Sequence, residues 1–445
     1  MAVDPVRDSA IDVLLRIFDK NVHIASAIDR ALKRRAGNLS GRGRRFMTQL
    51  VYGTTRHTIL ADHVLAPLLH QPLEKLPLPI HLVLRMGVYQ ALFCNSVTFP
   101  AMVHTSVDLA KRRGHRGTAK LVNAVLKRVP ERLDDLSLPD KESHLTEYLA
   151  MRHSLPLWLV ERWCEEFGPQ KAEEICATSN REAPRFLRVN TLLTTREALQ
   201  ASLLKSGFAS RFHEHVPEAL ELPENPIPFS GKAFQQGLFF VQDPASMLPT
   251  HLLESEAGER VLDLCGAPGG KATHIAQYAQ GKATVVCNDM EFGRMRLTQE
   301  NVERLQMDHV QSVVSNAIHA PYRGGFDRVL LDAPCSGLGT LRRRPDIKLR
   351  ISSKDFAEMA LLQHALLRSA IELCKNGGVV VYSVCTFTPE ETTQVIESLR
   401  GDHSVSFEDG PTWLDPWKIS QGQYRVLPGQ NAMDGYYLTR LRKAS

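Results

Sequence analysis

No apolar run in this 445-residue chain is long enough to cross a bilayer, and its eight cysteines include no CxxC pair and no Cys/His set at zinc spacing. The first absence excludes a helical membrane protein. The second argues against a disulfide framework and a structural metal, and for a reduced, cytoplasmic setting. Between Met1 and Lys20 the charges of Asp4, Arg7, Asp8, Asp12, Arg16 and Asp19 break into the apolar positions, so the segment reads as an amphipathic helix and not as a signal peptide. Internal repeats and low-complexity tracts are also missing. Neither charge dominates: 54 Lys and Arg face 49 Asp and Glu, and the net +5 permits a nucleic-acid partner without requiring one. With 43% hydrophobic residues over this length, two or three domains are expected.

The pattern is helical from about residue 5 to 130, with Ile11, Leu14, Leu15 and Phe18 recurring at helical intervals. Basic clusters stud this part: Lys33-Arg34-Arg35, Arg42-Gly43-Arg44-Arg45, Lys111-Arg112-Arg113 with His115-Arg116, and Lys127-Arg128. Such runs are usually solvated faces, but several in one helical domain favour phosphate contact. The polar stretch Asp134 to Glu142 marks a boundary, which gives a helical domain over 1–135 and a helical linker over 136–180. In the linker Pro156 opens a helix, and Gly168 with Pro169 stops it. A small α+β subdomain is expected over 181–245, with Phe186 to Asn190 as a strand and Thr194-Thr195-Arg196-Glu197 as a capping box. From 246 to 445 strands and helices alternate as in a doubly wound α/β sheet. Strands are expected near 260–265, 283–289, 309–315, 326–332 and 378–384, and Gly435 to Leu441 supplies a last antiparallel strand. The helix from Asp355 to Leu373 carries an apolar stripe of Phe356, Met359, Leu362, Leu366 and Leu373.

In such a sheet the carboxyl ends of neighbouring strands face one crevice. The first strand runs into Asp263-Leu264-Cys265-Gly266-Ala267-Pro268-Gly269-Gly270-Lys271, whose glycines let backbone N–H groups approach a ligand. Asp289 ends the second strand about twenty residues on, where an acid bonds ribose hydroxyls, so a nucleoside cofactor is favoured. The glycine spacing is not GxGxxG and no hydride-transfer site follows, which disfavours NAD. S-adenosylmethionine fits better. Its carboxylate meets the loop N–H groups and its adenosine lies toward Asp289, while Asp263 either holds the amino end or caps the loop from within. Two further strands end in thiols, Cys335 in Asp332-Ala333-Pro334-Cys335-Ser336-Gly337 and Cys385 in Ser383-Val384-Cys385-Thr386-Phe387. Two thiols beside a nucleotide-type loop suggest covalent catalysis.

These three runs resemble the motifs of RNA cytosine-C5 methyltransferases. Val241 to Ser246, Arg343 to Lys348 and Asp434-Gly435-Tyr436-Tyr437 are similar to the RsmB (Sun, Fmu) branch, and Leu50 to Gly53 with Leu121 to Leu126 resemble its NusB-like domain. The resemblance implies a Rossmann-like methyltransferase sheet behind an RRM-like subdomain and a NusB-like RNA-binding domain. It also implies Cys385 as the nucleophile on cytosine C6, and Cys335 as the group that assists release of the C5 proton. Cytosine C5 is a poor nucleophile until a thiolate adds at C6, which is why such a site needs a sulfur. Asp332 is placed to bond the N3 and N4 edge of the base and stabilise the charge that appears there. The cofactor set implied is Cys265 (through its backbone), Gly266, Ala267, Pro268, Gly269, Gly270, Lys271, Asp289 and Asp332, with Asn316 where the family commonly has an acid facing the adenine.

A target base must leave its stack to meet a thiol in a crevice, so the expected partner is single-stranded or looped RNA, engaged by a monomer without DNA or membrane. Arg342-Arg343-Arg344 beside Cys335 would add to the phosphate grip. By resemblance the substrate is 16S ribosomal RNA and the product 5-methylcytosine. Alternatives are a relative acting on tRNA or another ribosomal site, a non-catalytic NusB-like RNA-binding factor, and an amino-methyltransferase. The last would want Asp/Asn-Pro-Pro-Tyr/Phe where Asp332-Ala333-Pro334-Cys335 stands.

Overall fold

The computed structural model describes residues 3–34, 39–130, 138–223, 227–401 and 403–444. The chain forms two compact units. One comprises Met1–Arg181 with Leu341–Ile351, and the other Glu182–Thr340 with Ser352–Ser445.

The first unit is helical. Asp4 caps Pro5–Lys20 by accepting from the Val6 and Arg7 N–H groups, and the helix buries Ile11, Val13, Leu14 and Ile17. The core continues through Leu78–Phe93, whose stretch Ile80 to Gln90 is almost wholly buried. The segment read as a linker forms helices Leu145–Arg152, Leu157–Phe167 and Pro169–Ser179 and packs within this same unit. Pro156 is the residue before the second of these rather than its first turn, and Gly168, at φ +78°, ends it while Pro169 begins the third. Residues 131–137, with the first half of the Asp134–Glu142 boundary, and Arg35 lie outside the described residues.

Two of the basic runs carry arginines that are less available than the sequence suggests, Arg113 and Arg342. Arg113 pairs with Asp8 and, at 2.8 Å, with Asp12; Arg112 reaches Asp8 at 3.3 Å and Lys111 reaches Asp108 at 3.0 Å. Arg342 is 4% exposed, so the expectation that all three arginines of its run track phosphate is corrected for this one. Its segment is part of the helical unit. There the Lys348 ammonium donates to the carbonyls of Arg56 and Ser154, and the Arg342 carbonyl accepts from the Arg56 guanidinium at 2.8 Å.

The second unit holds two sheets. The smaller is antiparallel, in the order β2-β3-β1-β4, from β1 (Arg185–Val189), β2 (Arg211–Phe212), β3 (Ala219–Leu222) and β4 (Phe239–Val241). Helix Arg196–Lys205 follows β1; its cap is Thr195, which accepts from the Ala198 N–H, one residue later than the capping-box reading. Arg188, on β1, is fully buried and was legible only as a strand residue. It donates to Gln242 and the Gly270 carbonyl, and to Thr273 Oγ1 at 2.9 Å, tying this sheet to the glycine loop.

The larger sheet contains β5 (Arg260–Asp263), β6 (Thr284–Asp289), β7 (Val310–Val314), β8 (Phe326–Asp332) and β9 (Cys374–Val384). It is completed by β10 (Val405–Phe407), β11 (Lys418–Ser420), β12 (Gln423–Val426) and β13 (Tyr436–Lys443). The order is β11-β12-β13-β9-β8-β5-β6-β7, with β10 on β13. Strands β5 to β9 are parallel, and β13 runs antiparallel to β9 as the tail pattern implied. Strands β6 and β7 lie on one side of β5 and β8 and β9 on the other, so the order switches between β5 and β8, the place where open α/β sheets form their ligand crevice. Helix Ser353–Leu373 buries Phe356, Leu366 and Leu373 as expected, while Met359 and Leu362 are only half-buried. Gln363 takes a buried place on the same helix for a reason that lies in the site.

Candidate active site

The carboxyl ends of β5, β8 and β9 bring the three predicted motifs together. The Cys335 and Cys385 sulfurs are 3.3 Å apart and both residues are half-buried. Parallel register sets Asp332 opposite Ser383, so the side chains ending β8 and β9 are neighbours before the chain turns toward each thiol. The turns are clamped. Ala333 N–H donates to the Ser383 carbonyl (2.9 Å), and Gly339 N–H to the Cys385 carbonyl (3.0 Å). Ser336 Oγ bonds Thr386 Oγ1 at 2.9 Å. Beneath them the buried Glu391 accepts from the Ser336 N–H (2.7 Å), from Gln363 (3.2 Å) and from Thr388 (2.8 Å). Gln363 also donates to the Pro334 carbonyl at 2.9 Å, which is why a polar residue occupies the buried face of its helix.

Asp332 carries more bonds than the sequence suggested. Its Oδ2 accepts from Lys271 Nζ at 2.6 Å, and its Oδ1 from Ser383 Oγ at 2.9 Å and Tyr436 Oη at 2.7 Å. Lys271, grouped with the cofactor loop in the sequence, thus directs its ammonium to the acid beside the thiols. Burial opposes its charge, but pairing with Asp332 prevails and holds its pKa above the ordinary lysine value. Ser383 and Tyr436 were missed as site residues. Both stand inside runs quoted from the sequence, but only the pairing of their two strands fixes where they meet.

Sharing a hydrogen bond with Cys385 is the largest influence on the Cys335 thiol and burial the next, and both push its pKa well above the ordinary cysteine value. Both influences favour the thiol over the thiolate at Cys335. Burial also raises the Cys265 and Cys287 thiols, which disfavours their thiolates.

The glycine loop and Asp332 border one cleft of about 250 Å³, lined by Gly266, Ala267, Pro268, Gly270, Lys271 and Asp332 with residues of the β4 turn. A larger cavity of about 590 Å³ lies between the first two helices of the helical unit, where Arg16, Lys20, Arg30 and Arg34 mix with Asp12 and Asp19. No cysteine lines it, so size does not identify the site here; the cleft that Asp332 and Lys271 share with the loop does. The fit of S-adenosylmethionine to this cleft can be judged from the loop itself. A Cβ on Gly266 would lie 2.5 Å from the Asp263 carboxylate and 2.6 Å from the Cys287 sulfur, so only glycine keeps the backbone open here. Asp263 is buried, neither of its carboxylate oxygens has a hydrogen-bond partner of ordinary geometry, and burial raises its pKa to about 7. Such an orphaned acid suits an ammonium group. Gly269, at φ +88°, starts helix Gly270–Tyr278 directly behind the loop.

Asp289 ends β6 as expected; its Oδ1 accepts from the Glu291 N–H at 3.0 Å and its Oδ2 pairs with Arg294 at 3.0 Å. Asn316 is exposed after β7, and its amide oxygen accepts from the Ile318 N–H at 3.0 Å. Asn288, unremarked in the sequence, joins the ends of β5 and β7 by donating to the carbonyls of Leu264 (3.0 Å) and Ser315 (3.2 Å).

Among the described residues one group has the spacing to hold a metal ion, Glu218 with His251 and His274. Its members lie far apart in sequence, which hid it from any spacing rule. The two imidazoles approach Glu218 Oε1 at 2.8 and 2.6 Å through Nε2. Those are hydrogen-bond separations of two N–H donors on one carboxylate oxygen; ligands at roughly 2.0–2.1 Å from a tetrahedral zinc stand further apart. Burial lowers the His274 pKa to about 4, consistent with a neutral imidazole donor.

Comparison with known proteins agrees with this architecture. The description "16S rRNA methyltransferase RsmB/F" matches residues 250–442, "NusB family" residues 4–131, and a RsmF/B-like ferredoxin-like domain residues 155–229. A Bacillus subtilis (strain 168) protein named "Probable ribosomal RNA small subunit methyltransferase B" is 32% identical over 98% of both chains. The crystal structure of PH0851 superposes with a TM-score of 0.83 at 27% identity over 99% of both chains. NSun6 from Pyrococcus horikoshii, solved with SFG, covers 65% of this chain and 98% of its own at a TM-score of 0.60 and 24% identity, a likeness of fold. With its three matched segments in order and its similarity running from end to end, the chain belongs to the RsmB/F family of 16S rRNA methyltransferases.

Proposed function

We propose that this S-adenosylmethionine-dependent rRNA methyltransferase modifies C5 of one cytosine in small-subunit (16S) ribosomal RNA through a covalent bond between Cys385 and C6. The observation that supports this most directly is the 3.3 Å approach of two thiols beside an acid that also borders the cofactor cleft. When bound, S-adenosylmethionine supplies an electrophilic methyl group. Gly266 to Gly270 would hold its amino-acid end with Asp263 opposite the ammonium, and Asp289 would take the ribose. Asn316 has a lone pair left for the adenine amino group.

In the chemistry proposed for the chain's own residues, the Cys385 thiolate adds to C6 and electron density passes to C5 and toward N3. Asp332, with Lys271 beside it, holds the N3 and N4 edge and stabilises the charge gathering there. After C5 is methylated its proton leaves, the C5–C6 double bond re-forms and the Cys385 sulfur departs. Cys335 acts as a relay in that step, giving its own proton to the departing sulfur and receiving the C5 proton in exchange.

The substrate strand is single-stranded or looped, the enzyme works as a monomer in the cytoplasm, and the functional division keeps 1–135 as the RNA-binding portion, 181–245 as the RRM-like subdomain and 246–445 as the catalytic domain, with the 136–180 helices joined to the first of these. None of the described helices is long and apolar enough to cross a membrane. Bisulfite mapping of 16S RNA from a strain lacking the protein tests the reading: one cytosine loses its C5 methyl group, and restoring the gene returns it. An unchanged map, with a loss in tRNA instead, would move the substrate to the alternative class.

A further inference from the structure

Tyr436 begins β13, and its neighbour Tyr437 pairs with Val384 on β9, so the next register step sets Tyr436 level with Cys385. The ring is 3% exposed, and its hydroxyl donates to Asp332 Oδ1 at 2.7 Å. The Lys271 ammonium, which grips the other carboxylate oxygen at 2.6 Å, lies 5.6 Å from the centre of the Tyr436 ring. Asp332 is thus held from both sides by groups carried on distant parts of the chain, a lysine from the cofactor loop and a phenol from the terminal strand.

A carboxylate rotates readily about its last side-chain torsion, which is broad and two-fold. Recognition of a flat base edge requires a fixed carboxylate plane, with one oxygen aimed at the base. Ser383 approaches Oδ1 from within the sheet at 2.9 Å, and Tyr436 completes the fixing by approaching the same oxygen from the antiparallel strand. Burial, and after it the charge of Asp332, pushes the Tyr436 phenol well above its ordinary pKa, so the hydroxyl stays a donor throughout the working pH range.

We propose that Tyr436 is a positioning residue for base activation: its hydroxyl fixes the plane of Asp332 against the target cytosine without itself touching the base. The inference rests on the catalytic reading of Asp332 above. The adjacent Tyr437 offers a built-in comparison, because its equally buried hydroxyl donates to Gln423 Oε1 at 2.7 Å and has no bond to Asp332.

The test is a double-mutant cycle on the full-length protein, read by single-turnover methylation of 16S RNA and by KM for RNA and S-adenosylmethionine. Tyr436→Phe is expected to slow methyl transfer roughly tenfold with both KM values unchanged, the loss of one hydrogen bond to a charged group. Tyr437→Phe is expected to leave the rate as it is. In an Asp332→Asn background, Tyr436→Phe is expected to cost less than about a further twofold, since the group it positions is gone. A wild-type rate in Tyr436→Phe, equal losses in both tyrosine variants, or an undiminished tenfold loss in the Asp332→Asn background would each overturn the proposal. A wild-type rate in Asp332→Asn alone would overturn the underlying catalytic reading, a distinct outcome. Should Tyr436→Phe fail to fold, Ser383→Ala run through the same cycle decides: loss of rate that vanishes without Asp332 supports fixing of the carboxylate plane, and an independent loss refutes it.

Discussion

The sulfur atoms of Cys335 and Cys385 lie 3.3 Å apart although 50 residues separate them, because β8 and β9 are parallel neighbours that end at the same level. A single residue's slip in that register would part Asp332 from Ser383, which stand opposite one another at the strand ends. In the proposed mechanism the two sulfurs are not equivalent: Cys385 attacks the ring and Cys335 handles the proton. Cys385→Ala is therefore expected to reduce methyl transfer by more than about a thousandfold and to form no protein–RNA adduct. Cys335→Ala is expected to methylate once and then remain attached to its RNA as a complex that survives denaturing electrophoresis. Adduct in the first variant, or free turnover in the second, would reverse the assignment.

Asp263 makes cofactor binding sensitive to pH. Its carboxyl is raised from 3.8 to about 7, with burial as the main cause. A group raised in the folded state contributes stability that is fully present below its unfolded pKa and is lost as pH rises through about 7. A bound ammonium reverses the preference and favours the ionised acid, so binding releases a proton on the acid side. Affinity for S-adenosylmethionine is expected to rise by about tenfold between about pH 6 and pH 8, measured by calorimetry in buffers of different ionisation heat. Asp263→Asn should flatten that slope and bind weakly throughout. A wild-type slope retained in Asp263→Asn would remove the carboxylate from the ammonium site.

Much of this was readable before any coordinates, and the reasons differ from residue to residue. The glycine loop and the two Pro-Cys and Val-Cys strand ends are local signals, since the chemistry demands those residue types beside one another. The strands β5 to β9 announced themselves as buried apolar runs between turn residues. Lys271, Ser383 and Tyr436 stand inside quoted runs, but their convergence on Asp332 was not legible, because it comes from pairing between elements remote in sequence. Arg188, Arg342 and Arg113 illustrate the converse. A charged residue in a sequence is assumed to face water, yet Arg188 and Arg113 are held by protein partners and Arg342 is buried. Gln363 broke its helix stripe because Glu391 and the Pro334 carbonyl need its amide.

Glu391 shows how the thiol turn is held. It is buried, receives the Ser336 N–H at 2.7 Å, and is bonded in turn by Gln363 and Thr388. Glu391→Ala leaves these donors facing an apolar void, and chemical denaturation should report a loss of about 1–3 kcal/mol. Glu391→Gln keeps an acceptor for the Ser336 N–H and is expected to recover a large part of both stability and methylation rate. Equal stability of the alanine variant and the wild type would show that the turn after Cys335 does not depend on this carboxylate.

The last device is a contact between two bare backbones. Gly339 follows the Cys335 turn and Gly435 precedes Tyr436, and the Gly435 N–H donates to the Gly339 carbonyl at 2.9 Å. A Cβ on Gly339 would stand 2.0 Å from the Gly435 carbonyl oxygen, and one on Gly435 would stand 2.8 Å from the Gly339 Cα. Backbone cannot step aside as a side-chain tip can, so the two strands' connections would have to separate. Gly339→Ala is expected to cost about 3 kcal/mol by denaturant titration. It should also slow methylation beyond what the residual folded fraction explains, because moving Gly435 moves the Tyr436 hydroxyl away from Asp332. Gly401→Ala serves as the comparison: its φ of +86° strains an alanine, but the position is open, with nothing near its Cβ, so stability alone should fall there. A Gly339→Ala protein whose folded fraction methylates at the wild-type rate would show that this backbone contact maintains the fold without setting the geometry of the acid.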